Sequence, residues 1–188
     1  QELTELYTVC QSHNIPLFID GARLGYGLVS KKNDVTFEDI ANLCDVCYIG
    51  GTKVGALFGE CIVILNDLYK KDFRYAIKQH GGMLAKGRML GIQFEELFKD
   101  NRYLTISKHA IDMADILTEG FQSKGYHFYF PAETNQLFPI FENAKLEELS
   151  KEFAFTPWAK IDETHTAVRF VTSFATKREN VEYLLTKI

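Results

Sequence analysis

The sequence lacks any apolar run close to the roughly 20 residues that a membrane-spanning helix needs. Its first residues, Gln1 to Gln11, are too polar for a secretory signal. Internal repeats and low-complexity segments are absent as well. The chain has 188 residues, 46% of them hydrophobic, which is enough to bury a core in one or two domains. These features predict a globular protein that we expect in the cytoplasm, with no membrane partner.

An excess of positive charge is also absent, because 21 lysine and arginine residues face 25 aspartate and glutamate residues, for a formal net charge of −4. A general nucleic-acid partner is therefore not expected, since phosphate contacts need a basic surface. One local exception is the basic segment 69–88, which has two interpretations. It is either a solvated helix face or, at its glycine-containing end, a place where Lys86 and Arg88 offer cations to a phosphate.

Cysteine is sparse, with four residues at positions 10, 44, 47 and 61. Cys44 and Cys47 have the two-residue gap of a zinc or redox pair, but no second pair or histidine follows at a suitable interval. The pair also leads into an apolar segment. We therefore predict buried, reduced thiols and no metal site.

The first half of the chain alternates helical and extended patterns. Apolar strands are predicted at Leu17 to Asp20, Val46 to Ile49 and Cys61 to Leu65, with a helix before the first and a second helix opened by a capping-box pattern at Thr36. This order predicts an α/β fold with a mainly parallel sheet. Ligands in such sheets bind beyond the carboxyl ends of the strands.

The second half of the chain has a different order of predicted helices and strands. Helices are predicted at Leu68 to Lys78, Met89 to Phe98 and Tyr103 to about Gln122. They are followed by strands at Tyr126 to Phe130, Gln136 to Phe141 and Ala167 to Val171, and by helices at Ala144 to Glu152 and Thr176 to Leu185. The pattern predicts two domains, residues 1–99 and a small α+β domain of residues 100–188.

Two segments place reactive side chains where apolar strands end. Ile15 to Arg23 ends in Asp-Gly-Ala-Arg, and Tyr48 to Ala56 contains Gly-Gly-Thr-Lys. An aspartate and a lysine in these positions suit pyridoxal phosphate, which needs an amine for a Schiff base and an acid to keep its ring nitrogen protonated. Asp20 and Lys53 are the candidates.

With segments 134–138 (Thr-Asn-Gln-Leu-Phe) and 168–172 (Val-Arg-Phe-Val-Thr), these motifs resemble the threonine aldolase and β-eliminating lyase group of fold-type I pyridoxal phosphate enzymes. The resemblance covers nearly the whole chain. It implies the C-terminal half of the cofactor-binding large domain of aspartate aminotransferase type, in residues 1–99, followed by the small domain. Members of the group carry a long section before the Asp-Gly-Ala-Arg turn. We therefore expect an N-terminally incomplete chain without the glycine-rich phosphate loop.

The resemblance also implies roles for individual residues. Lys53 would bind the cofactor, Asp20 its ring nitrogen, and Arg169 the substrate α-carboxylate by a two-point contact. Cofactor contacts are further predicted for Arg23, which also serves the substrate, and for Gly51, Thr52, Lys86 and Arg88. Ordinary structural explanations compete: Asp20 as a helix cap, Arg23 as an ion-pair residue, and the glycines as relief of a tight turn.

One segment departs from the aldolase pattern. Where aldolases have Gly-Gly-Met-Arg, residues 81–84 read Gly-Gly-Met-Leu, and Lys86 or Arg88 would have to supply the missing charge. The wider lyase group is therefore the better label. We expect a lyase for a small β-hydroxy or β-substituted amino acid, assembled as a homodimer or homotetramer. An aminotransferase of the same fold and a non-catalytic fragment without cofactor are the alternatives, whereas a dehydrogenase is disfavoured because residues 21–25 lack the dinucleotide turn.

Overall fold

The computed structural model describes residues 1–188, and they form two compact units. The first unit contains Gln1–Leu28 and Asn33–Leu104, and the second contains Val29–Lys32 and Thr105–Ile188. The division thus falls after Leu104, a few residues beyond the predicted limit at residue 99. None of the helices is both long enough and apolar enough to cross a membrane.

The first unit contains a three-stranded sheet with helices around it. Its elements in chain order are α1 (Glu2–Ser12), β1 (Phe18–Gly21), α2 (Leu24–Leu28), α3 (Phe37–Asn42), β2 (Val46–Ile49), β3 (Cys61–Ile64), α4 (Phe73–Gln79) and α5 (Arg88–Phe98). The predicted capping box opens α3, where the Asp39 amide donates to the Thr36 hydroxyl oxygen at 3.1 Å and the Thr36 amide donates back to the Asp39 carboxylate at 2.8 Å. Helix and strand alternate here as expected.

The sheet has the order β1-β2-β3 and is mixed. β1 and β2 are parallel, with Asp20 opposite Tyr48, whereas β3 runs antiparallel to β2. The expected parallel pairing is therefore found between β1 and β2 but not between β2 and β3. Two apolar strand residues, Phe18 on β1 and Ile62 on β3, are 55% and 51% exposed, so the sheet is less covered than a buried parallel sheet usually is.

A buried carboxylate ties the three strands together at the end opposite their ligand-binding edge. Asp45 is 4% exposed and accepts the Leu17 amide at 2.8 Å and the Asn66 side-chain amide at 2.7 Å. Its own backbone amide donates to Leu17 O, and its backbone oxygen accepts the amide of Leu65. Because these neighbours flank β1 and β3, one residue sets the relative position of all three strands.

The second unit is α+β, as predicted. Its elements are α6 (Arg102–Ser123, from Thr105 onward), β4 (Gln136–Leu137), β5 (Ile140–Glu142), α7 (Asn143–Leu149), β6 (Thr156–Lys160), β7 (His165–Val171) and α8 (Arg178–Lys187). β7 is the central strand, and β4, β5 and β6 all pair with it antiparallel. Aromatic and aliphatic side chains of α6, α8, β5 and β7 contribute to its core, including Phe121, Phe141, Leu117, Phe170 and Leu184.

Several predicted elements were wrong. Tyr126 to Phe130 is not a strand, because only Phe128 forms a bridge, to Pro139, while Tyr126 packs its ring against Phe121 and Phe141 in the core. The strand predicted from Gln136 to Phe141 is broken into β4 and β5 around Pro139, which has no N–H to donate.

Two further differences concern segments with weak local signals. The helix predicted at Leu68 to Lys78 begins only at Phe73, after a 3-10 turn at Asp67–Tyr69. β6 was not anticipated, because Pro157 lies inside it and its side chains are mostly exposed. A strand that pairs on one side with β7 tolerates such a proline.

Candidate active site

The carboxyl ends of β1 and β2 are in direct contact. The Gly50 amide donates to the backbone oxygen of Gly21 at 2.9 Å. A Cβ atom on Gly21 would lie 2.1 Å from Tyr48 O, so only glycine allows the backbones to approach this closely. The turn that follows Asp20 and the turn that carries Lys53 are therefore neighbours at the ligand-binding edge of the sheet.

Two buried tyrosines hold these turns through their backbones. The Tyr103 hydroxyl accepts the Gly25 amide at 3.2 Å and donates to Gly50 O at 2.9 Å. The Tyr26 hydroxyl donates to the backbone oxygen of Lys53. Both tyrosines are 1% exposed, and burial raises the pKa of Tyr103 to about 12, so its phenol remains a donor at neutral pH.

Sequence reasoning missed both tyrosines. Tyr26 carries one usable signal, because it is a large aromatic residue between two glycines in a short helix directly after the Asp-Gly-Ala-Arg turn. Tyr103 carries none, since its bonds reach residues more than 50 positions away.

Asp20 and Arg23 line the same cavity of about 440 Å³, whose other lining residues are mostly apolar. The Asp20 carboxylate is exposed, accepts the Ala22 amide at 3.0 Å and forms no ion pair. The Arg23 Nε atom is buried and has no hydrogen-bond partner. The bond from the Ala22 amide is the local contact expected of an aspartate that opens a turn, so the cap interpretation of Asp20 accounts for it. The ion-pair interpretation of Arg23 does not account for its unpaired Nε atom. An unpaired carboxylate and an unsatisfied guanidinium nitrogen are able to hold a ligand.

Lys53 lies in a 3-10 turn, Thr52–Val54, at the end of β2. Its side chain is half buried, its amine makes no hydrogen bond or ion pair, and it does not line the cavity at Asp20. The neighbouring donors are engaged: the Gly51 amide and the Thr52 hydroxyl both donate to the Glu60 carboxylate. Glu60 is a functional candidate that the sequence analysis did not consider.

The Tyr48 phenol on β2 lies beside these acidic groups. Burial first, and then the negative charges of Glu60 and Asp20, raise the pKa of Tyr48. The Tyr48 side chain thus lies within electrostatic reach of both carboxylates.

Lys86 and Arg88 are both exposed, directly before and at the start of α5. No hydrogen bond or ion pair joins either cation to Asp20 or Lys53. Their predicted cofactor contact remains a prediction. The basic segment 69–88 is α-helical only in α4 and at its last residue.

In the second unit, Arg169 lies on β7 with its guanidinium half buried. Its Nη1 atom donates weakly to Gln136 Oε1 at 3.4 Å, and its Cζ atom lies 5.7 Å from the centre of the Trp158 ring. The Nε atom is buried without a partner. A guanidinium that is stacked but short of acceptors is suited to an incoming carboxylate.

The two motif segments of this unit pair with each other. The Asn135 side-chain amide donates to Thr172 O at 2.7 Å, and the Thr172 hydroxyl donates to Ala110 O on α6 at 2.7 Å. Residues 134–138 and 168–172 are therefore neighbours in space. This contact holds β7 and the Arg169 on it against α6.

The four cysteines are free, and Cys44 and Cys47 are buried. Burial raises the pKa of Cys44 to about 12 and also raises the pKa values of Cys47 and Cys61. No group of three or more His, Cys, Asp or Glu side chains is arranged to hold a metal ion. Such thiols are inert at neutral pH.

Solved structures similar to this chain define its fold class. A threonine aldolase of Leishmania major is 42% identical, with a TM-score of 0.96 over 99% of this chain and 54% of that one. An aspartate aminotransferase variant of Thermus thermophilus is 16% identical, with a TM-score of 0.67 over 98% of this chain and 50% of that one. The second likeness shows the fold alone. The predicted α/β fold of aspartate aminotransferase type is confirmed.

The family follows from the sequence comparisons. Residues 1–144 match the family described as Beta-eliminating lyase. A low specificity L-threonine aldolase of a Pseudomonas species is 30% identical over 152 residues, which are 79% of this chain and 43% of that protein. The chain belongs to the beta-eliminating lyase family, so the predicted resemblance is confirmed. It spans about half the length of these relatives.

Proposed function

We propose that the chain is part of a pyridoxal phosphate-dependent lyase that acts on a small β-hydroxy or β-substituted amino acid. The supporting observation is the direct contact between the strand ends that carry Asp20 and Lys53, fixed by Gly21 and Gly50. Its relatives include a low specificity L-threonine aldolase, which favours cleavage of the Cα–Cβ bond, with β-elimination as the other lyase reaction.

The residues of the first unit fit the cofactor chemically. The Asp20 carboxylate has no cation partner, as suits a group that pairs with a protonated ring nitrogen. The Lys53 amine is not engaged and is the proposed attachment point. The unsatisfied Arg23 Nε supplies a donor for cofactor or substrate. Pyridoxal phosphate, when bound, supplies the electron sink for negative charge at the substrate Cα.

The remaining predicted residues also have proposed roles. Arg169 binds and orients the α-carboxylate, since its guanidinium lacks acceptors. Lys86 or Arg88 supplies positive charge to the cofactor phosphate. Gly51 and Thr52 shape the lysine turn and also contact the phosphate. Residues 1–99 would be the cofactor-binding part and 100–188 the small domain. We further propose a cytoplasmic homodimer or homotetramer.

The test is to incubate the 188-residue chain with pyridoxal phosphate, reduce it with borohydride and locate the label by peptide mass spectrometry. We expect a visible absorbance band before reduction and a label on Lys53. Lys53→Ala should lose both, whereas Lys78→Ala, which removes an exposed lysine of α4, should keep both. Labelling spread evenly over surface lysines would refute cofactor binding by this chain.

Product analysis distinguishes the reactions in a preparation that carries the label. Glycine and acetaldehyde from threonine indicate Cα–Cβ cleavage, whereas ammonia and a 2-keto acid indicate β-elimination. A new amino acid formed from an added keto acid would instead identify an aminotransferase. Arg169→Lys should weaken substrate binding about tenfold or more, because a lysine cannot make the two-point contact.

A further inference from the structure

Residues 51–60, here termed the lysine loop, are closed by contacts between the last residue and the first two. Glu60, the last residue before β3, accepts the backbone amide of Gly51 and the hydroxyl of Thr52, the latter at 2.7 Å. One carboxylate therefore joins both ends of the loop. Lys53 is the residue directly after these two donors.

The middle of the lysine loop is held by α5. The Gln93 side chain accepts the Leu57 amide at 2.6 Å and donates to Phe58 O at 3.0 Å. Gly59 has a φ of +88°, and a Cβ atom there would lie 2.1 Å from the Leu90 side chain. The loop is thus fixed in its centre by Gln93 and at its ends by Glu60.

Glu60 is solvent-exposed, yet its carboxylate is bound by donors of the turn and by no basic side chain. It forms no ion pair with any lysine or arginine, including Lys53, and its partners are donors of the turn itself. Its charge also contributes to the raised pKa of Tyr48. A carboxylate that accepts two such bonds holds backbone more firmly than a neutral acceptor does.

We propose that Glu60 is the positioning residue of Lys53: its carboxylate fixes the Gly51–Lys53 turn and so presents the lysine amine in one orientation. The functional part of this inference rests on the proposed role of Lys53 as the cofactor attachment point. The competing interpretation is that Glu60 occupies two donors, the Gly51 amide and the Thr52 hydroxyl, that would otherwise bind the cofactor phosphate. The two roles predict opposite effects of removing the carboxylate.

The test compares Glu60→Ala, Glu60→Gln and the control Glu38→Gln, which changes an exposed carboxylate on α3 that makes no side-chain bond. Hydrogen exchange is followed by mass spectrometry in peptides covering residues 51–60. We expect exchange roughly tenfold faster or more in Glu60→Ala, because two bonds to a charged group are lost. Glu60→Gln should restore part of the protection, and Glu38→Gln should match the unchanged chain. Unaltered exchange in Glu60→Ala would overturn the proposal.

The second measurement is the pyridoxal phosphate concentration that half-labels Lys53. This concentration should rise about tenfold in Glu60→Ala and less in Glu60→Gln. Urea unfolding midpoints of the same variants distinguish this effect from a general loss of stability. Stronger labelling after removal of the carboxylate would overturn the positioning role in favour of competition with phosphate. If Lys53 of the unchanged chain takes no label, the cofactor proposal fails, while hydrogen exchange still decides whether Glu60 holds the loop.

Discussion

A Cβ atom added to Gly50 would lie 2.3 Å from the backbone oxygen of Ala22. This distance is far inside van der Waals contact, and the clashing atom belongs to the backbone, so no side-chain rotation relieves it. The turn after β1 and the turn after β2 can therefore be neighbours only while position 50 is glycine.

Gly50→Ala should destabilise the first unit by about 1–3 kcal/mol, because the two strand ends must separate. Gly27→Ala is the matched control: it lies in α2 with no atom within 4 Å of the added carbon, and should be neutral or stabilising by up to about 1 kcal/mol. Urea unfolding followed by circular dichroism measures both. Equal midpoints for the two variants would contradict the close contact.

Tyr103→Phe removes one hydroxyl and leaves the buried Gly25 amide and Gly50 oxygen without that partner. We expect a loss of about 1–3 kcal/mol in unfolding free energy. Lys53 labelling by pyridoxal phosphate should weaken as well, because Gly50 and Lys53 belong to the same turn. Tyr75→Phe, at a tyrosine that is 71% exposed, is the control and should change neither quantity.

Asp45→Asn should destabilise the sheet by about 1.5–3 kcal/mol, since the carboxylate accepts two hydrogen bonds while only 4% exposed. An asparagine side chain brings an NH₂ group to a place where the Leu17 amide and the Asn66 NH₂ both need acceptors. Hydrogen exchange of peptides covering β1 and β3 should accelerate together. Acceleration of β1 alone would show that Asp45 does not join the strands.

The first unit should lose stability at alkaline pH. Burial raises the pKa of the Cys44 thiol from about 9 to about 12, and that of Tyr103 from about 10 to about 12. The unfolded chain therefore releases these protons at lower pH than the folded chain. Ionisation then favours the unfolded state, so stability is full below pH 9 and falls as the pH rises toward 12.

Urea midpoints between pH 7 and pH 11 test this dependence. Cys44→Ala should flatten the decline above pH 9, although its midpoint at pH 7 falls because a cavity is left. Cys10→Ala, at a half-buried thiol of α1, is the comparison. An identical slope in Cys44→Ala and the unchanged chain would exclude Cys44 as the group responsible.

The sequence predicted the sheet strands well because their apolar runs end at turn residues. It also predicted that Asp20 and the Lys53 turn lie at the carboxyl ends of strands, whereas the direct pairing of these two strands is seen only in the structure. It could not predict the bonds of Tyr103, because their partners lie more than 50 positions away, or those of Glu60, because no motif marks a carboxylate that closes its own loop. The strand predicted at Tyr126 to Phe130 failed although its residues favour strands, because the Tyr126 ring packs in the core and only Phe128 forms a bridge.

Tyr26 and Tyr103 each donate to a backbone oxygen of the turn after β2. Every residue type carries such an oxygen, so neither bond depends on the side chain of the residue that accepts it. The backbone of the turn and the amine on it are thus separable: position 53 can be varied while the two phenols and the paired glycines keep the turn in place.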